Sequence, residues 1–335
     1  MTAPKQANFL IEQVQNCLRQ YQLIHHDYTL LLAFSGGSDS SCLLHLLATL
    51  QQLLKFKLVA AHLDHAWYAG SAQDAQHCVR ICQQYQVPII LGHATDWQHK
   101  IGKNRSLEAQ YRAMRQQFLL AHQHKISARA ILTAHHAGDQ LETFFIRLMR
   151  GAGVAGLAAM HAYNAPWLRP LLACDKLAIQ QYLQQNQITF LVDSSNYDEK
   201  FLRNRLRQRL LPLLNQIDER AGKKILDCIA ILQQENSVLD ELARGPLLYS
   251  KTSSAVLELS KFKALPPILQ SRCVVQLLVA NQARFTVTHA FLQQACKFIN
   301  STAKNHHCMG QYWCFHKQNG QLEVVPRGAF CHLHK

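Results

Sequence analysis

Between residues 28 and 150 the chain switches repeatedly between two hydrophobic periods, and this alternation constrains its fold more than any single motif. Residues 28–34 (YTLLLAF) form a short apolar run, after which Cys42, Leu43, Leu46, Leu47 and Leu50 recur at helical spacing. Further apolar runs at 57–62, 87–91 and 130–133 predict strands, and 72–86, 107–123 and 140–150 predict helices. Strands separated by helices need right-handed crossovers, so the expectation is an α/β fold with a doubly wound, mainly parallel sheet. Such sheets bind ligands beyond the carboxyl ends of their strands. Three polar segments, 35–40, 62–65 and 135–142, each follow a predicted strand and are expected to converge on one crevice. From about Arg203 the alternation stops. Consecutive helices are expected over 205–245, then over 262–280 and 287–301, with a terminal strand pair at 311–316 and 322–325. The expected division is 1–215 and a second, mostly helical domain at 216–335.

Charge separates the two parts. Residues 1–100 are neutral in net charge, 101–200 carry +4 and 201–335 carry +10, so a polyanionic partner is expected mainly at the second domain. Nucleic acid suits this better than an anionic membrane, because no basic amphipathic helix with an aromatic face stands out. Nowhere do eighteen apolar residues run together, and the first residues lack the apolar stretch and small-residue cleavage site of a secretory signal. Eleven cysteines without a CxxC pair read as thiols in a reducing compartment, and a cytoplasmic location is expected.

The loop Ser35, Gly36, Gly37, Ser38, Asp39, Ser40 stands between a strand and a helix. Glycines there let backbone N–H groups approach an anion, and the helix N-terminus adds partial positive charge. It is not a Walker A loop, because no GxxxxGK[ST] exists in the chain. Hydroxyls with an Asp and no Lys suit a pyrophosphate group and a divalent cation held by carboxylate oxygen. Gly151-Ala-Gly153-Val-Ala-Gly156 fits GxGxxG, but it follows a helical stripe and not a strand, so it is no dinucleotide fingerprint. These glycines are expected to end the helix and give a mobile loop. Asp139 and Glu142 are three apart at a helix start and can face one ligand. Glu108, Arg112 and Arg115 share a helical face, and Arg203, Arg205, Arg207 and Arg209 crowd seven positions so that only some can face one partner.

Taken together, these segments resemble the tRNA(Ile)-lysidine synthase family of the PP-loop (N-type) ATP pyrophosphatase superfamily. The resemblance covers roughly residues 15–215. It rests on the 35–40 loop, His62-Leu-Asp-His65, Leu107-Glu with Arg112 and Arg115, and Thr133-Ala-His-His with Asp139-Gln-Leu-Glu-Thr143. It continues through Arg150-Gly-Ala-Gly, Arg169-Pro-Leu-Leu172, Asp193-Ser-Ser-Asn196 and Arg203-Asn204 to Pro212. The family usually has paired acids where this chain has Gly138-Asp139. Many members also carry a further C-terminal domain, for which 335 residues leave no room, so the expectation is either a short form or a chain that has lost that domain, with tRNA affinity leaning on the middle domain.

The resemblance implies a Rossmann-like PP-loop ATPase fold and ATP-dependent ligation of L-lysine to C2 of the wobble cytidine in a CAU-anticodon isoleucine tRNA. Residues 35–40 would bind ATP, with Asp39 holding Mg2+. Asp139 and Glu142 would hold the lysine. His135, Arg112 and Arg115 would stabilise charge on the phosphate, and Arg203, Arg205 and Arg207 would meet the tRNA. A homodimer is compatible with this scheme. The competing expectations are a cytidine 2-thiolase, which the lack of CxxC disfavours, a small-metabolite amidotransferase or synthetase, which needs no strongly basic C-terminal part, and a non-catalytic RNA-binding relative.

Overall fold

The computed structural model describes residues 3–65, 70–98, 107–192, 201–249, 254–283, 285, 288–302, 306–309 and 312–327. The chain forms two compact units, Met1–Ala230 and Ile231–Lys335. The division falls within the helix Ala221–Leu242.

The first unit opens with α1 (Ala3–Gln20), β1 (Thr29–Ala33), α2 (Ser38–Leu54), β2 (Lys57–Asp64), α3 (Ser71–Gln84) and β3 (Ile89–His93). It continues with the short α4 (Thr95–Gln98), α5 (Leu107–Lys125), β4 (Ala130–Leu132), α6 (Ala137–Met149), α7 (Val154–Leu157), β5 (Tyr163–Asn164), β6 (Trp167–Leu168) and α8 (Lys176–Gln185). Then come α9 (Leu202–Arg205), a π-helical turn at Leu206–Leu210, α10 (Leu211–Ile217) and α11 (Ala221–Leu242).

The six strands run in the order β3-β2-β1-β4-β6-β5, all parallel except β5 against β6. Both sheet faces are covered, which is why the central strands read as unbroken apolar runs. Leu30 and Leu32 of β1 enter the core beneath α1, α2 and α8, while Leu31 enters the core that holds Phe118 and Met114 of α5. β4 repeats the alternation, with Ala130 and Leu132 on the first face and Ile131 on the second. β1 has β2 on one side and β4 on the other, so the winding reverses between β1 and β4, and a crevice opens beyond their carboxyl ends.

The second unit carries β7 (Leu247–Tyr249), β8 (Ala255–Glu258), α12 (Leu259–Ala264), α13 (Pro267–Ala280), α14 (His289–Asn300), β9 (His306–Met309), β10 (Trp313–Gln318) and β11 (Gln321–Pro326). The expected helix at 287–301 and the terminal strand pair are present, while the helical stretch expected over 262–280 is two helices, α12 and α13, parted at Leu265 and Pro266. The pair belongs to a five-stranded antiparallel sheet, β7-β8-β11-β10-β9, of which the sequence had disclosed only those two strands. Asn319 and Gly320, with φ of 49° and 76°, join β10 to β11 in the left-handed conformation that a two-residue hairpin demands. Phe262, Phe298, Phe315, Leu277 and Leu322 fill the core between helices and sheet. Among the described residues no helix is long and apolar enough to cross a membrane.

Candidate active site

The glycine loop turns directly from β1 into α2. Gly36 sits at φ +80°, and a Cβ there would lie 2.6 Å from Leu191 Cδ1 and 2.8 Å from Cys78 Sγ, so no larger residue fits. Leu191 straps the loop from outside, its N–H donating to Gly36 O at 2.8 Å. Inside, the Ser40 hydroxyl donates to Gly37 O (3.0 Å) and the Ser41 hydroxyl to Gly36 O (3.1 Å). Ser35 Oγ lies 3.0 Å from Ser40 Oγ. Gly37 caps α2 without a side-chain bond. Helix geometry therefore leaves the first-turn N–H groups of Ser38, Asp39 and Ser40 without intrahelical partners, ready for an anion.

Beside this loop, at the end of β4, α6 begins with a reciprocal cap. His136 Nδ1 accepts from Gly138 N–H at 3.0 Å, and Asp139 Oδ2 accepts from His136 N–H at 2.9 Å. With Nδ1 taken up by the cap, Nε2 is the ring nitrogen that faces Asp39 Oδ2 at 3.8 Å and Asp139 Oδ2 at 3.6 Å. Gly138 makes this possible: a Cβ there would lie 2.7 Å from His136 Cε1. In this chain the imidazole of His136 thus folds over Gly138, the position at which the sequence departs from the family's paired acids.

One turn further on, Glu142 is 1% exposed and accepts from Arg207 Nε at 2.7 Å. Its second oxygen, Oε2, has no partner among the described residues. Burial pushes the Glu142 carboxyl above the ordinary range despite Arg207. Burial also pushes Asp139 upward, but His136, His135, the His136 N–H and Arg203 outweigh it and hold Asp139 below the ordinary range. Two carboxyls one turn apart are thereby driven in opposite directions. Arg207 reaches them from the π-helical turn, where Leu211 N–H bonds Leu206 O five residues back, just ahead of Pro212. Arg203 Nη2 lies 3.4 Å from Thr143 Oγ1.

Arginine dominates the rest of the crevice. Burial, then the charges of Arg112 and Arg203, lowers the Arg147 pKa, and burial with Arg112 and Arg147 does the same to Arg169. Arg147 Nη1 donates to Gly156 O (2.8 Å) and Ala159 O (2.9 Å), and Arg169 Nη1 donates to His161 O (2.8 Å). Half-buried His135 has Nδ1 2.9 Å from Thr133 Oγ1, and burial with nearby arginines pushes it down to about 4, so it is neutral near pH 7.

The structure therefore brings together residues 35–40, His135, Asp139, Glu142, Arg203 and Arg207, with Arg112 and Arg115 near by through their charges. Arg203 and Arg207, expected on the RNA, are turned toward the acids, while Arg205 is exposed on α9. His62 departs from the expected convergence. It is buried within β2, its Nδ1 3.0 Å from Phe34 O and 3.5 Å from Cys78 Sγ, and it supports the loop from below. The glycine pair does end α6, with Gly151 at φ +71°, but the segment beyond is fastened to α6 by Arg147. Residues 193–196 and the Glu108 side chain lie outside the described residues. Lys176, Arg147 and the role of His136 were missed by the sequence. Lys176 Nζ donates to Asp39 Oδ1 at 2.5 Å and Ser38 Oγ at 3.0 Å. The Asp175 cap before it was the only available signal.

The PP-loop domain family ATP_bind_3 matches residues 8–214. The tRNA(Ile)-lysidine synthase of Haemophilus ducreyi is 32% identical over 331 residues, covering 94% of this chain and 74% of that protein. The tRNA(Ile)-lysidine synthases of Thermotoga maritima (34% identical, 65% of this chain) and Serratia proteamaculans (40%, 64%) are matched over 54% and 49% of their lengths. The aligned part of this chain thus spans about half of each of these two relatives. Among solved structures, the U34-tRNA thiolase NcsA from Methanococcus maripaludis aligns with a TM-score of 0.58 over 68% of this chain and 80% of that one. At 12% identity that likeness concerns the fold alone. The ATP-binding PP-loop match and the nearly full-length alignment agree with the glycine loop at the β1/β4 reversal: the chain belongs to the tRNA(Ile)-lysidine synthase family of tRNA-modifying ligases.

Proposed function

We propose that this chain joins L-lysine to C2 of the wobble cytidine of an isoleucine tRNA bearing a CAU anticodon, consuming ATP and releasing pyrophosphate and AMP. The observation that carries this reading is the pair Asp139 and Glu142, one ionised and one with a buried unpartnered oxygen, set beside an ATP loop. The cytosine 2-oxygen attacks the α-phosphate and pyrophosphate leaves. The lysine ε-nitrogen then attacks C2, and AMP departs with the former 2-oxygen. An amine attacks only when neutral, so one carboxylate must hold the ammonium and another must take its proton. Asp139, held ionised, binds the positive charge. Glu142, whose raised pKa makes it the stronger base, accepts the proton at Oε2.

Neutral His135 can donate one hydrogen bond but no charge, so stabilising the phosphate falls to Arg112, Arg115 and their neighbours. Mutually repelling arginines favour occupation by a polyanion, which suits an anticodon loop whose bases can be splayed out. Asp39, partly exposed among loop hydroxyls, offers the hard oxygen that Mg2+ takes when water and phosphates supply its other ligands. Such an ion would neutralise phosphate charge. Residues 216–335, with their basic excess, bind the tRNA body in this scheme, and the reaction belongs to the cytoplasm.

The test is pyrophosphate release by the purified chain with the isoleucine tRNA and ATP, offering lysine, cysteine or glutamine in turn. Release dependent on lysine alone is expected. Release triggered by cysteine or glutamine, or none with any of them, would overturn the reading.

A further inference from the structure

The phosphate loop contains no lysine, yet an ammonium group stands in its mouth. It belongs to Lys176, 137 residues downstream of Asp39 in sequence, whose Nζ bonds Asp39 Oδ1 at 2.5 Å and Ser38 Oγ at 3.0 Å. Its position is set twice. Asp175 caps α8 by accepting from Leu177 N–H at 3.3 Å, so Lys176 occupies the first position of a helix with a fixed start. One residue earlier again, Cys174 O accepts from Ala137 N–H at 3.0 Å, which ties the same peptide to the first turn of α6. The Lys176 side chain is 35% exposed and that of Asp39 is 30% exposed, so solvent and ligand can both reach the pair.

We propose that Lys176 is the lysine of this phosphate loop, supplied from α8: it contacts the β,γ end of ATP and holds the pyrophosphate as it leaves. This deepens the function proposed above and rests on it. The first-turn N–H groups of α2 supply dipoles but no full positive charge, and the oxygens of a departing pyrophosphate gain negative charge that a nearby ammonium would offset. Asp39 and Ser38 are the groups at the mouth of the loop, and Lys176 Nζ touches both. In the structure Asp39 pairs with Lys176. When the Asp39 carboxylate turns to a divalent cation, the ammonium is free to move on to phosphate oxygen, a shift that needs only side-chain rotation.

This predicts opposite signs for two ligands, which a structural role would not give. Calorimetric titrations of the full chain with inorganic pyrophosphate plus Mg2+, with AMP, and with Mg2+ alone make the test. Lys176→Met should bind pyrophosphate about 10- to 100-fold more weakly, as expected for losing a charge-assisted contact. It should leave AMP unchanged and bind Mg2+ alone about two- to fivefold more tightly, because Asp39 loses a competing cation. Lys176→Arg, which keeps the charge, should restore most of the pyrophosphate affinity and serves as the control for folding. Unchanged pyrophosphate affinity in Lys176→Met overturns the inference. So does an equal loss for pyrophosphate and AMP in both variants, which marks Lys176 as a strut of the loop. A wild-type chain that takes up neither ATP nor pyrophosphate defeats instead the functional reading on which this rests.

Discussion

Asp139 has two jobs that substitution can separate. Its Oδ2 accepts from the His136 N–H at 2.9 Å and completes the cap of α6, and its negative charge is assigned here to the lysine ammonium. Asp139→Ala removes both. Losing a cap costs about 0.5–2 kcal/mol, and a unit of this size loses about 2–4 °C of melting temperature per kcal/mol, so Ala should melt several degrees lower. Asp139→Asn keeps an amide oxygen for the His136 N–H, so it retains the cap and loses only what the charge contributes beside its basic neighbours; it should melt between wild type and Ala. What Asn lacks is the charge. A charge-assisted hydrogen bond is worth about 1.5–3 kcal/mol, so kcat/KM for lysine should fall about 10- to 100-fold or more. The assay is tRNA-dependent AMP formation at varied lysine, alongside thermal unfolding of all three proteins. An Asn variant that is both as stable and as active as wild type would show that Asp139 is only a cap, and the assignment of the amine pocket would fall with it.

Glu142 gives a test by pH. Burial raises its folded pKa, so its ionised form opposes folding: the contribution favours the fold below the unfolded pKa and is lost as pH rises through the folded one. Glu142→Gln should therefore melt above wild type at pH 8, with the gap closing toward pH 5 and lysine-dependent turnover gone. A variant less stable at both pH values would mean that the bond to Arg207 outweighs burial. In the loop, Gly36→Ala must adopt φ +80° and push Leu191 and Cys78 aside, so it should lose at least about 1–2 kcal/mol and more than tenfold in ATP affinity. Gly37→Ala, whose Cβ would approach only Ser35 Oγ at 3.6 Å, should melt within about 1 °C of wild type. Equal destabilisation by the two would contradict the packing described for the loop.

Local pattern disclosed the parallel core because strands buried on both faces are continuous apolar words, as TLLLA of β1 shows. It also disclosed residues 35–40 and the Asp139–Glu142 pair, whose chemistry is contiguous in sequence. Strand order was not legible. Only once β6 is known to lie beside β4 does the segment after it, with Lys176, fall next to the glycine loop. His62 misled because a histidine at a strand end looks the same whether it faces solvent or supports a carbonyl such as that of Phe34. The arginines at 203–209 could not be sorted by spacing, because the π-helical turn shifts their phase and points Arg207 at Glu142. Three strands of the second sheet escaped because they are three or four residues long and follow or precede helices.

The bond from Ala137 N–H to Cys174 O spans no great distance, yet it couples two otherwise unrelated stretches of chain. On one side hang the carboxylates assigned to the nucleophile; on the other, two residues along, stands the ammonium assigned to the leaving group. The gap between making one bond and breaking another is thus gauged in part by this peptide contact. Inserting or deleting even one residue between Leu172 and Lys176 would put both ends of the reaction out of step together, whereas the segment between Arg150 and Gly156 can change length without disturbing that gauge.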